Sequence, residues 1–274
     1  MPQANQIVLD SVTHLTDAHR GKAALCASHG GHYAAYYGAT KAVSALILND
    51  AGVGRERVGF SGSIYLERLG LPAATISSQS ARIGDGRDGH ANGIISFVNA
   101  PAAKLKLKVG MRCREALDML ATAGLPPSPP PPAEDEHRTE IVDAGRGKTR
   151  VIAMDSISLV ATTDRQNIVV TGSHGGLLGG RKETAIKFPV AGVVCNDAGF
   201  GRDNAGMSRL PVLDALGIPA ACVSNFSARI GDGMSTYRDG YVSALNEAAK
   251  KAGGLIGQSC RELVALIVAS APSP

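Results

Sequence analysis

The sequence predicts an α/β fold: two tandem repeats related by a pseudo-two-fold axis, each a mostly parallel sheet flanked by helices. Three observations carry that expectation. Short apolar runs alternate with longer helix-compatible segments. Those runs are apolar on both faces, as parallel strands covered by helices are. A series of polar motifs occurs twice in the same order, with a proline-rich stretch between the two occurrences.

The recurrence is colinear. Asp10-Ser11, Arg20 and Ser28-His29-Gly30-Gly31 return as Asp155-Ser156, Arg165 and Ser173-His174-Gly175-Gly176. Asn49-Asp50-Ala51-Gly52 returns as Asn196-Asp197-Ala198-Gly199, and the seven residues Ser80–Gly86 return unchanged as Ser227–Gly233. Gly93, Ser96, Asn99 and Cys113-Arg114-Glu115 have counterparts in Gly240, Ser243, Asn246 and Cys260-Arg261-Glu262. The expected division is a first repeat over 1–125, a spacer over 126–148 and a second repeat over 149–274. The spacer opens with Pro126-Pro127-Ser128-Pro129-Pro130-Pro131-Pro132 and continues through Glu134, Asp135 and Glu136. Such a stretch is expected to be extended and solvated, outside helix and sheet.

Within each repeat the elements follow from the local pattern. Strands are expected at Ile7–Leu9, Ala23–Ala27, Val43–Leu48 and Ala73–Ser77, and at Val151–Met154, Ile168–Thr171, Val190–Cys195 and Ala220–Ser224. Helices are expected at Tyr33–Lys41, Gly62–Leu69, Asp88–Leu105 and Arg112–Ala121, with counterparts in the second repeat. Gly70-Leu71-Pro72 and Gly217-Ile218-Pro219 read as a helix stop followed by a strand entry.

Bulk properties narrow the function classes. The chain has 44% hydrophobic and 19% charged residues, which suits a globular protein with a substantial core. Net charge is +4, its Lys and Arg residues are scattered, aromatics make up 4% and Trp is absent. Nucleic-acid binding is therefore not expected. No apolar run approaches the length of a bilayer span, and Met1 to Gln6 lack the layout of a secretory signal. The five cysteines form no C-x-x-C pair. They read as buried thiols in a reducing, cytoplasmic setting.

Every recurring polar motif follows a strand, at the edge where ligands of open α/β sheets bind. His29 and His174 are expected to serve as acid/base groups, aided by Asp50 and Asp197, with Ser28 and Ser173 as nucleophile candidates. The alternative for the Asn-Asp-Ala-Gly segments, including Asn49 and Asn196, is an Asx turn. Gly30, Gly31, Gly175 and Gly176 offer backbone amides to an oxyanion, or simply permit a tight turn. Arg82 and Arg229 hold a substrate anion, or pair with Asp85 and Asp232 to pin their loops, with Ser80 and Ser227 in the same motif. His32, Tyr33, Tyr36 and Tyr37 occur in the first repeat only and distinguish its surroundings.

These residues suit an enzyme acting on a small polar, anionic metabolite, with hydrolysis of an amide or ester-type bond as the leading expectation. A divalent-metal enzyme with His and Asp ligands is the first alternative, although no metal-binding spacing supports it. A metabolite-binding or regulatory protein without turnover is the second. No nucleotide-cofactor motif occurs, so the cofactor stays unassigned. The expected partner is a small-molecule substrate, with neither nucleic acid nor membrane; assembly as a homo-oligomer is left open.

Overall fold

Successive residues of a strand point to opposite faces of its sheet, so a strand buried on both sides needs apolar residues throughout. The computed structural model, which describes residues 5–125, 131–142 and 144–270, builds its two sheets this way. The chain divides into two compact units. The first runs to Glu134 and also includes Leu178–Gly180 and Phe200–Ala205; the second contains the remainder.

In the first unit the elements are β1 (Gln6–Leu9), β2 (Ala23–His29), α1 (His32–Thr40), β3 (Ala45–Asn49), α2 (Ser61–Arg68), β4 (Ala73–Ile76), α3 (Gly86–Asn92), β5 (Ile95–Val98), α4 (Ala100–Lys104) and α5 (Cys113–Leu120). The sheet order is β1-β2-β3-β4-β5, parallel except for β5, which runs antiparallel to β4. Leu25, Ile47 and Ile76 face Leu117 and Leu120 of α5. The alternate residues Cys26, Leu46 and Leu48 face Ala35 and Ala39 of α1 and Leu66 of α2. Each fully buried Leu or Ile in these layers stabilises the fold by about 1.5–3 kcal/mol relative to exposure.

The second unit contains β6 (Arg138–Glu140), β7 (Val151–Met154), β8 (Ile168–His174), β9 (Gly192–Asn196), α6 (Leu210–Ala215), β10 (Ala220–Val223), α7 (Gly233–Asp239), β11 (Val242–Leu245), α8 (Glu247–Lys251) and α9 (Cys260–Ser270). Its order is β11-β10-β9-β8-β7-β6. The four inner strands are parallel, and both edge strands are antiparallel to their neighbours. Val170, Val194 and Val223 pack on Leu263 and Ile267 of α9. The architecture is thus α/β with two mixed sheets, of five and six strands, flanked by helices.

Three expectations change here. The helix expected over Asp88–Leu105 is interrupted: Gly93 closes α3 by donating to the Gly89 carbonyl, Ile95–Val98 pairs as β5, and Asn99 caps α4 by accepting from Ala102 N. The spacer is partly absorbed into the sheet, because Arg138–Glu140 pairs with β7. Its opening prolines, Pro126 to Pro130, lie outside the described residues. Finally, the helix expected after His174 as the counterpart of α1 is not formed; short 3-10 turns at Leu178–Gly180 and Lys182–Thr184 lie between β8 and β9. No described helix is long and apolar enough to cross a membrane.

Candidate functional site

The carboxyl ends of β2, β3 and β4 bring the first set of motifs together. Gly30 leaves β2 so close to the next loop that a Cβ on it would lie 2.0 Å from the Gly59 carbonyl oxygen. Only glycine fits there. Gly30 N donates to Asn49 O at 2.7 Å, and Gly31 N donates to His29 Nδ1 at 3.2 Å. Both amides expected to cradle an oxyanion are therefore engaged within the protein.

The bond from Gly31 also fixes the imidazole. Because Nδ1 accepts, the ring proton of neutral His29 resides on Nε2. Burial pulls the pKa of His29 down to about 4, so the ring is neutral near pH 7. Its Nε2 makes no hydrogen bond among the described residues. Ser28 is not brought to this ring. Strand alternation turns the two side chains to opposite faces, and Ser28 Oγ accepts from Val12 N at 2.9 Å.

At the end of β3, Asn49 accepts from Ala51 N at 2.9 Å and donates to Ala81 O at 3.3 Å. Asp50 is 4% exposed, and its Oδ1 accepts from Gly52 N at 3.0 Å and Ser78 N at 2.9 Å. The bonds to Ala51 and Gly52 are Asx-type turns, and those to Ser78 and Ala81 fasten the loop after β3 to the loop after β4. The second oxygen of Asp50 has no hydrogen-bond partner among the described residues.

The chain that follows is strained. Ala51, Gly52, Val53 and Gly54 all have positive φ, and so do Glu56 and Arg57. A β-branched residue at φ +63°, as at Val53, is a genuine outlier of the kind concentrated at functional loops. Ala198, Gly199, Phe200, Gly201, Asp203 and Asn204 repeat this conformation. The sequence signal for it lay beyond Asn-Asp-Ala-Gly, where Gly54, Arg55 and Gly59 match Gly201, Arg202 and Gly206.

The Ser-Ala-Arg-Ile-Gly-Asp-Gly segment proves to be largely self-supporting. Ser80 Oγ donates to Ser77 O and accepts from Ile94 N; Ala81 and Ile83 are buried. Gly84 has φ +81°, Asp85 caps α3 by accepting from Asp88 N, and a Cβ on Gly86 would lie 2.6 Å from Leu9 O. Arg82 meets Asp85 at 3.2 Å, the buried Asp88 at 3.3 Å and Asp203 at 3.0 Å. Three carboxylates thus occupy the guanidinium expected to hold a substrate anion. Arg202 approaches the same loop, donating from its backbone N to Ser78 O and from Nη1 to Ser80 O.

In the second unit, Gly175 N donates to Asn196 O, Gly176 N donates to His174 Nδ1, and Ser173 Oγ accepts from Ile157 N. Asn196 accepts from Ala198 N, and Asp197 Oδ1 accepts from Gly199 N and Asn225 N. Burial raises the Asp197 pKa despite those bonds. Ser227 Oγ donates to Ser224 O, Arg229 pairs with Asp232 at 2.9 Å, and Asp232 caps α7 through Ser235 N.

His32 and Tyr36, which have no counterpart in the matching segment after His174, meet Glu134. His32 Nε2 lies 2.9 Å from its carboxylate, and the Tyr36 hydroxyl accepts from its backbone N. Among the described residues, no group of three or more His, Cys, Asp or Glu side chains is arranged to hold a metal ion. No protein-family model matches the chain, and neither a curated protein nor a solved structure matches it significantly.

Proposed function

We propose that the protein is an enzyme that hydrolyses an amide or ester-type bond in a small polar metabolite at the carboxyl ends of β2, β3 and β4. The observation that carries this reading is the neutral, tautomer-fixed His29, whose Nε2 proton is uncommitted. A neutral imidazole can donate that proton's hydrogen bond to a carbonyl oxygen gaining charge, a role suited to a water-poor site. The unpaired oxygen of Asp50 is the matching base. His29 is thus assigned to oxyanion stabilisation in place of the glycine amides, whose donors are spent. Arg82 lends no support to an anionic substrate, since its own carboxylates already neutralise it.

The matched hydrogen bonds around His29 and His174 support descent of the two halves from one repeat, which we propose together with a division near residues 125 and 148. The five buried, unpaired thiols favour a reducing compartment.

The test is turnover of a small-molecule lysate extract, followed by mass spectrometry, with the full chain and its His29→Gln and Asp50→Asn variants. Each variant is expected to lower product formation by at least about 100-fold. Turnover unchanged in His29→Gln would overturn the assignment. Saturable binding with no product in the wild type would favour the non-catalytic alternative.

A further inference from the structure

A buried hydroxyl without a hydrogen-bond partner costs free energy, so each one calls for an explanation. Ser78 is 1% exposed, and its Oγ has no hydrogen-bond partner among the described residues. Ser44 and Ser63 share that property but lie elsewhere, Ser44 at the amino-terminal entry to β3 and Ser63 within α2. Ser78 instead follows β4 at the carboxyl edge of the sheet. Its backbone N is bonded to Asp50 Oδ1, and β3 lies between β4 and the strand that ends in His29.

We propose that Ser78 is the nucleophile of this site, a role that rests on the hydrolytic reading above. Three uncommitted polar atoms then divide the chemistry among adjacent strand ends. Ser78 Oγ forms the bond to the substrate carbonyl carbon and passes its proton to Asp50 Oδ2. The carbonyl π pair moves onto oxygen, where His29 Nε2–H donates to it. Collapse of this intermediate breaks the bond to the amine or alkoxide, which leaves with the proton from Asp50. Water then attacks the acyl-serine by the same route, releasing the acid and restoring the Ser78 hydroxyl.

The segment over Ser78 fits this role. Arg202 N donates to Ser78 O at 2.7 Å, and Gly201, at φ +67°, approaches so that a Cβ would lie 3.0 Å from the Ser78 carbonyl oxygen and in ordinary contact, at 3.5 Å, with the Ser78 Cβ. Phe200–Ala205 must move aside for a substrate to reach the hydroxyl, and its run of positive φ values stores strain that motion can release. In the second half, Asn225 stands where Ser78 stands in the first, in the same backbone bond to Asp197. An amide cannot serve as this nucleophile, so the chemistry belongs to the first unit.

A fluorophosphonate probe tests the assignment without a known substrate, because an activated serine attacks phosphorus and expels fluoride. Full-length wild type is expected to carry the probe on Ser78, located by peptide fragmentation. Ser78→Ala is expected to lose both the label and at least about 1,000-fold in lysate turnover, with an unchanged melting temperature. Ser78→Cys, close to serine in size, is expected to lose phosphonate labelling and gain iodoacetamide labelling. Absence of label, or label on Ser28 or Ser77, in a protein whose turnover still requires His29 and Asp50 would overturn the role of Ser78 alone. Turnover indifferent to His29→Gln would overturn the hydrolytic reading and Ser78 with it.

Discussion

The strand ends of the two units share a hydrogen-bonded skeleton but differ in what surrounds it. In both, a histidine Nδ1 accepts from the glycine amide two residues on, and an Asp oxygen joins two loop amides. Around His29, helix α1 packs closely enough that a Cβ on Gly62 would lie 2.6 Å from Ala35 Cβ. In the second unit no α-helix lies between His174 and β9 among the described residues, and Arg209, the sequence counterpart of Gly62, is 3% exposed. Its guanidinium donates to the carbonyls of Thr184 and Ala185 while its Nε lacks a partner among the described residues. The identical residues build a shared hydrogen-bonded scaffold, and the differing ones change what packs around it. Identity between halves is a guide to architecture first and to chemistry second.

The sharpest way to break this comparison is at the glycine each unit needs after its histidine strand. A Cβ on Gly30 would meet the Gly59 carbonyl oxygen at 2.0 Å, a backbone atom with little freedom to retreat. A Cβ on Gly175 would meet Cys222 Sγ at 2.6 Å and the Gly206 carbonyl oxygen at 2.7 Å. Gly30→Ala is expected to cost roughly 4 kcal/mol or more, and Gly175→Ala about 2 kcal/mol. Denaturant unfolding of the two variants measures the difference. Equal losses would mean that the two turns are equally constrained.

A smaller effect concerns His29. Its folded pKa of about 4 lies below its ordinary 6.5, so folding holds the ring neutral and protonation favours the unfolded chain. The resulting stability is fully present above pH 6.5 and declines as pH falls toward 4. The shift corresponds to at most about 3 kcal/mol. Urea titrations from pH 7 to pH 4 should show this loss in wild type and not in His29→Gln, whose side chain does not titrate. Parallel curves for the two proteins would mean that His29 is solvated as in a peptide.

Much of the scaffold was legible because it rests on local pattern. Val151–Met154 is the expected strand to the residue, and the other expected strands lie within two residues of their observed limits, except that β8 continues three residues past the expected Thr171 to His174. β5 escaped because Ile94-Ile95-Ser96-Phe97-Val98 is nearly continuous in apolar character and was joined to the helix-compatible residues on either side. Gly93 and the Asn99-Ala100-Pro101 start of α4 were the punctuation that separates them. At the site, the sequence supplied His29, Asp50 and the motif loops, but not which of their atoms remain free. Ser78 left no trace in a comparison of halves, since its counterpart is Asn225. Its distinguishing property, a hydroxyl with no partner, exists only once the loops are packed.

The least of the expected effects lies at an edge present in the second unit alone. Residues following the acidic run form β6 there, while among the described residues the first sheet ends at β1 with no such addition. Next to β6, burial and then the nearby Asp155 charge raise the Glu136 pKa to about 7, partly opposed by a hydrogen bond from Ser156. His137 holds Asp155 from the exposed side, at 2.8 Å through its ring. A raised carboxyl pKa favours the folded state while the group stays protonated. That contribution is complete below the ordinary value of 4.5 and is lost as pH rises through about 7. Glu136→Gln keeps the neutral form at every pH. After discounting for solvent around a half-buried side chain, its stability advantage over wild type is expected to grow by on the order of 1 kcal/mol between pH 5 and pH 8. Paired urea titrations at those two values measure it, and hydrogen exchange should confine the change to Arg138–Glu140 and its partner β7. An advantage that is the same at both values would show that Glu136 ionises as readily in the fold as in the unfolded chain, and that β6 is held by backbone pairing alone.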